Sequence, residues 1–241
     1  MGRQRDSKLV GTFGNVIFYN RLGEYCMRTK PTAVKRTKST MHSGLNFGKA
    51  SSICRQIRNL VSNINPVKSD QRLMYKLTGS LNKFISWKEK IERMSHSMPK
   101  TLPFIYGFQF NSEADLSSIR AIQPIIKSSN NGVVEINFAP FIPSQSLHAP
   151  SVTNYILFKM ILVRSDLEKA EANLLGKSDL EIPFTNDSFQ PAVINIPGDI
   201  NPDDLVMLII SVQYMINRNG DIQMLSDKKR LPCGIAWAGM L

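Results

Sequence analysis

The spacing of apolar residues changes once along this chain, near residue 100, and that change limits the fold more than any single motif. Before it, apolar residues recur every three to four positions, the period of a helix lying on a core. After it, they come in short strand-like runs separated by turn signals. A chain that reads as helices and then as strands is expected to be α+β.

Two helices are expected in the first part. Ala50, Ile53, Cys54, Ile57, Leu60, Val61 and Ile64 fall on one face of the first. Ser43 or an earlier hydroxyl is its expected cap, and Asn65-Pro66 its stop. The second begins near Ser69-Asp70 and carries Leu73, Met74, Leu77, Leu81, Phe84, Ile85 and Ile91, with Lys88 as the one polar break in the stripe. It closes near Met98-Pro99. The short connection predicts an antiparallel helical hairpin. Ahead of it, residues 8–30 read as a β-hairpin turning at Asn20-Arg21-Leu22-Gly23, with a bulge or close backbone approach at Gly11 and Gly14. Residues 29–42 read as an extended basic linker.

After residue 100, strands are expected at 104–110, 119–126, 133–138, 154–163, 180–184, 192–196, 205–216, 222–225 and 234–238. Asn130-Asn131-Gly132 and Asn217-Arg218-Asn219-Gly220-Asp221 supply turns. This pattern predicts an antiparallel β-sandwich. The domains expected are a basic hairpin and helical-hairpin region, 1–100, and a sandwich, 101–241.

Charge divides at the same place. Residues 1–100 hold 20 Lys and Arg against 5 Asp and Glu, and residues 101–241 hold 10 against 14. The basic part favours an anionic partner. Cys26, Cys54 and Cys233 are too few and too far apart for a disulfide framework or a metal knuckle, and suit a reducing compartment. No apolar run approaches the ~20 residues of a membrane-spanning helix, and no apolar stretch near the start is long enough for a signal peptide. Cytoplasmic residence without integral membrane association is the expectation.

Catalytic signatures are absent from the sequence. His42, His96 and His148 have no partner at a metal-ligand interval. No nucleophile elbow, phosphate-binding lysine loop or zincin pair occurs. Gly11-Thr12-Phe13-Gly14 is followed by strand formers, so it is no dinucleotide loop. Glu168 with Glu171, and Asp203 with Asp204, sit in charged, loop-like stretches and read as solvated. Cys54 lies on an apolar helix face and reads as core. No catalytic residue, metal or cofactor is expected.

One constellation has a chemical direction. Arg21, Arg28, Lys30, Lys35, Arg36, Lys38, Lys49, Arg55 and Arg58 form a basic interval that can neutralise phosphates or dock an acidic partner. Tyr19 and Tyr25 flank the hairpin turn, where they either stack on bases or pack across the hairpin.

Gly11, Gly14, Val16, Tyr19, Arg21, Gly23, Arg28, Pro31, Val34, Arg36 and Thr37, followed by a helix with Phe47, Ala50 and Ile53, resemble the N-terminal pattern of a family of uncharacterised Bacteroidota proteins. That pattern is a glycine-bracketed hairpin, an Arg-Thr element and an amphipathic helix. The resemblance covers residues 9–60 and implies a C-terminal β-sandwich; the family carries no assigned activity. Here Ser39-Thr40-Met41-His42 stands where the family's element leads into a glutamine and a further arginine. The strand order after residue 100 is also similar to fibronectin type III-like sandwiches, with Ile194-Asn195-Ile196-Pro197-Gly198-Asp199 placed like the turn before their long sixth strand. Leu205 stands where many of those domains carry a corner tyrosine.

These features predict a non-enzymatic assembly or protein-interaction protein. The sandwich is its scaffold and residues 21–58 its contact surface. The stripe on the first helix is too apolar for a short segment to bury alone, so it needs the sandwich or another subunit. A homo-oligomer or a protein partner is expected. The alternative is a nucleic-acid-binding module using the same basic residues.

Overall fold

The computed structural model describes residues 3–5, 8–21, 23–31, 36–67, 71–94, 102–129 and 132–241. Lys35, His96 and the expected signals at Leu22, Ser69-Asp70, Met98-Pro99 and Asn130-Asn131 lie outside the described residues. The chain forms two compact units, Met1–His42 and Ser43–Leu241.

The N-terminal unit is an antiparallel meander of four strands, β1 (Arg3–Arg5), β2 (Lys8–Phe13), β3 (Val16–Arg21) and β4 (Glu24–Thr29). The expected single hairpin is therefore two hairpins and an added edge strand. The difference comes from Gly14. It is no bulge within a strand but the first residue of a two-residue turn that pairs Phe13 with Val16, and its φ of +57° suits the type II′ geometry that matches strand twist. The second turn falls where it was expected: the Gly23 N–H donates to Asn20 Oδ1 at 3.0 Å.

Helix α1 (Lys38–Val61) begins inside the segment expected to be linker. Thr37 caps it, its Oγ1 accepting the Thr40 N–H at 3.1 Å. Helix α2 spans Gln71–Arg93. The two run antiparallel: Asn46, early in α1, donates from Nδ2 to both carboxylate oxygens of Glu89, late in α2, at 3.1 Å. Cys54, midway along α1, reaches the Met74 carbonyl near the start of α2.

The rest of the larger unit is mixed. Helix α3 (Ser117–Ile122) leads into strand β5 (Ile125–Ser129), which pairs with β6 (Val133–Phe138). A short helix, α4 (Pro143–Ser146), precedes β7 (Tyr155–Asp166) and β8 (Glu171–Pro183). Strand β9 (Ala192–Pro197) returns to β6, and β10 (Leu205–Arg218), β11 (Asp221–Met224) and β12 (Cys233–Gly239) complete the chain. All pairings among the described strands are antiparallel. They form a sheet of order β11-β10-β7-β8, with β12 also on β10, and a second sheet of order β5-β6-β9.

The core explains β10. Its residues 205–214 are all buried, Ser211 and Gln213 included, because both faces of its sheet are covered. Leu205, Met207 and Ile209 join Ile161, Val163 and Ile235 against Ile53, Ile57 and Val61 of α1 and Leu77, Leu81 and Phe84 of α2. Val206, Leu208, Ile210 and Val212 face the other way, onto Val134, Ile136 and Phe138 of β6 and Ile119 and Ile122 of α3. The helical hairpin is thus a layer of the strand-rich body and shares its core. The Gln56 side chain of α1 ties that layer to the β7–β8 turn, donating to the Ala170 carbonyl at 3.1 Å and accepting the Ala172 N–H at 2.9 Å.

Several sequence expectations change here. Residues 104–110 form turns rather than a strand, although Gln109 bridges to Gly234. The first half of the stretch expected as a strand at 119–126 is the short helix α3, and only its last two residues are in a strand, β5. Glu171 opens β8 rather than lying in a loop. Asp204 is buried, not solvated; its Oδ2 accepts the Asn201 N–H at 2.8 Å and lies 3.7 Å from Arg164 Nε. Lys88, the break in the α2 stripe, reaches across to Asp203 at 3.3 Å and also pairs with Glu92. Partial burial opposes the charge on Lys88, but the two carboxylates outweigh it and hold the ammonium pKa above its ordinary value. No helix among the described residues is long and apolar enough to cross a membrane.

Candidate functional site

Strand pairing fixes which side chains of the N-terminal sheet share a face, because directly opposed residues project to the same side. Phe13, Val16, Phe18, Tyr25 and Met27 lie on one face. Phe13 and Phe18 meet edge to face, with centroids 5.8 Å apart. None of the described side chains on this face carries a charge. The opposite face carries Thr12, Ile17, Tyr19, Arg21, Glu24, Cys26 and Arg28. Here the Arg28 guanidinium sits over the Tyr19 ring, 5.7 Å from its centroid, and Arg21 stands opposite Glu24 in register.

This sheet is amphipathic, yet among the described residues of its unit no side chain is buried. Met27 is 72% exposed, and Leu9, Phe13 and Tyr25 are exposed as well. A sheet of this size ordinarily gains its stability by packing one apolar face.

In the larger unit the polar side of the helical hairpin is basic. From Ser43 to Lys88 the described residues hold seven Lys and Arg and no carboxylate; Asp70 lies outside them. Arg55 and Arg58, three positions apart on α1, line a cavity of about 360 Å³ between α1 and α2. Ser51, Ser52 and Thr78 contribute hydroxyl-bearing walls, and Cys54 and Met74 complete the lining. The Thr78 hydroxyl donates to the Met74 carbonyl at 3.0 Å. Burial pushes the Cys54 thiol pKa up, with Thr78 and the positive charge of Arg58 pulling the other way. Cys54 is therefore a protonated wall residue and not a nucleophile at neutral pH.

The basic residues singled out in sequence thus separate. Arg21, Arg28 and Tyr19 share one face of the N-terminal sheet, and Tyr25 is on the other, so the two tyrosines form no common stacking platform. Lys30, Arg36 and Lys38 are exposed. Lys49 is half-buried on the flank of α1 turned away from Arg58, nine positions and roughly two and a half helical turns earlier. Arg55 and Arg58 are brought together. Ser51, Ser52 and Thr78 were not singled out in the sequence. The Ser-Ser-x-x-Arg-x-x-Arg spacing shows that Ser51, Arg55 and Arg58 share a flank, but nothing in the sequence places Thr78 of α2 beside them. No group of three or more His, Cys, Asp and Glu side chains able to hold a metal occurs among the described residues.

No protein-family model, curated protein or solved structure matches this chain.

Proposed function

We propose that this chain is a binding protein with an assembly role rather than an enzyme, and that the apolar face of its N-terminal sheet is where a protein partner docks. One observation carries the reading: a four-stranded sheet with five apolar residues on one face that shows no charge among the described side chains has no buried side chain among its described residues. Exposed apolar surface of this kind marks interaction sites. In this reading the larger unit is the scaffold, its two facing sheets forming a fibronectin type III-like sandwich with a helical layer added. Three unpaired cysteines suit a reducing, cytoplasmic setting.

Light scattering after size exclusion tests the docking. The wild-type chain is expected as a concentration-dependent oligomer or with a co-purifying protein. Phe13→Glu with Met27→Glu is expected to abolish the association while leaving the thermal midpoint of the larger unit in place. A strict monomer at high concentration, with no partner in pull-downs, sinks the proposal.

A second reading is nucleic-acid binding, favoured by the seven Lys and Arg that stand without a carboxylate among the described residues from Ser43 to Lys88. It expects affinity for RNA or DNA that falls steeply with salt and drops when Lys35, Arg36 and Lys38 become Ala. Salt-independent or absent binding rejects it.

A further inference from the structure

The cavity between α1 and α2 has a chemistry of its own, independent of what covers the N-terminal sheet. Arg55 and Arg58 are both exposed, and both line it. Neither has a carboxylate partner among the described residues. The remaining polar side chains of the lining are the hydroxyls of Ser51, Ser52 and Thr78 and the thiol of Cys54. The Thr78 hydroxyl and the Cys54 thiol direct their hydrogens to the Met74 carbonyl, so the donors left to a ligand are the Ser51 and Ser52 hydroxyls and the guanidinium groups, which can only donate. Arg58 and Cys54 line the same cavity, so the guanidinium stands at its wall.

A donor-lined, positively charged hollow selects a multivalent oxygen anion. Two guanidinium forks on adjacent turns of a helix suit the tetrahedral oxygens of phosphate, which each can bind through two parallel N–H donors. A cavity of about 360 Å³ holds a phosphate group with room for the atom or two that link it to its ester. Carboxylate-bearing ligands satisfy fewer of the donors, and an apolar ligand leaves the arginines without partners.

We propose that the α1–α2 cavity is a phosphate-binding site, in which Arg55 and Arg58 clamp the phosphate oxygens and the hydroxyls of Ser51 and Ser52 donate to them. The phosphate belongs either to a small ion or monoester, or to a phosphodiester backbone. Only the latter source overlaps with the nucleic-acid reading above, and the site stands without it.

Calorimetric titration of the full-length chain at fixed ionic strength tests the site in two arms, one with inorganic phosphate and one with a short oligodeoxythymidylate. The variants are Arg55→Gln/Arg58→Gln, with Arg55→Lys/Arg58→Lys as a charge-preserving pair and Lys83→Gln as an exposed control outside the cavity. Saturable phosphate binding that weakens about tenfold or more in both arginine variants, as loss of bidentate charge-assisted bonds implies, and survives Lys83→Gln supports the site with a free phosphate as ligand. Binding of the oligonucleotide alone, with the same pattern across variants, supports it with a phosphodiester as ligand. The Lys pair keeps the charge and loses the fork, so it reads the clamp even where the Gln pair fails to fold. The proposal is overturned if neither ligand binds, if the Lys pair binds as the wild type does, or if Lys83→Gln weakens binding as much as the arginine variants do.

Discussion

Gly234 is held by its surroundings more tightly than its place in a buried strand suggests. A methyl group at this position would lie 2.8 Å from the Phe108 carbonyl oxygen and 3.0 Å from Leu116 Cδ2. The carbonyl cannot retreat freely, because it accepts the Ile235 N–H at 2.8 Å. Gly234→Ala is therefore expected to lower stability by about 1–3 kcal/mol, the cost of overpacking a filled core, measured as a fall in the denaturant midpoint with an unchanged slope. Asp166 is a second such position. Its Oδ1 accepts the Glu168 and Lys169 N–H groups at 2.9 Å each, closing the β7–β8 turn. The backbone bond from Lys169 leads the causes that hold its carboxyl pKa below the ordinary 3.8. A carboxyl depressed on folding stabilises above its unfolded-state pKa and loses that contribution as pH falls through the folded one. Asp166→Ala is expected to cost about 1 kcal/mol at pH 7. The difference from wild type should shrink as the pH is taken below 3.8. A mutant deficit that stays constant from pH 7 into acid counts against this role.

At the scale of elements, the long periodic segments were legible. The stripe from Ala50 to Ile64 is a helix face, and the run from Leu205 to Ile216 is a strand. Short apolar clusters were not. Ile119 and Ile122 fit a strand as well as one helical turn, and packing on β6 decides between them. The first half of β8 was hidden for a different reason. Its residues 171–179 are mostly polar and half-exposed, because β8 is an edge of its sheet. Its pairing with β7 supplies the order that its own pattern does not advertise. The continuous apolar runs at 160–163 of β7 and 205–210 of β10 were the signal that both faces of this sheet are covered, and so that the helices belong on it. Gly79, in the middle of α2, gives this scale its test. A Cβ there meets nothing within 4 Å, so only backbone freedom is lost with the substitution. Gly79→Ala is expected to stabilise the chain by roughly 1 kcal/mol, the helix-propensity difference. A destabilised variant shows that α2 needs the glycine for a contact the present packing does not contain.

At the scale of the whole chain, the change in charge and grammar near residue 100 and the division into compact units at His42 are different boundaries. The first is a change of secondary structure and charge inside one core. The helices lie before it and the sheet they cover lies after it. The basic character of the helices was legible in sequence, while the convergence of Arg55, Arg58 and Thr78 depends on how α2 is seated on that sheet. Truncation distinguishes the two boundaries. A fragment of residues 37–241 keeps the Thr37 cap and every residue of both hydrophobic cores. It is expected to fold cooperatively, with a thermal midpoint within a few degrees of that of the larger unit in the full chain. A fragment of residues 101–241 keeps the strands but loses the layer that buries Ile161, Val163, Leu205, Met207, Ile209 and Ile235. Exposing even these six side chains forfeits on the order of 1.5–3 kcal/mol each, comparable in sum to the ~5–15 kcal/mol that holds a domain together. The shorter fragment is therefore expected to aggregate, or to bind a hydrophobic dye with its near-ultraviolet circular dichroism lost. If it instead unfolds cooperatively with a native near-ultraviolet spectrum, the strands form a domain without the helices, and the shared core is an interface between two domains rather than the centre of one.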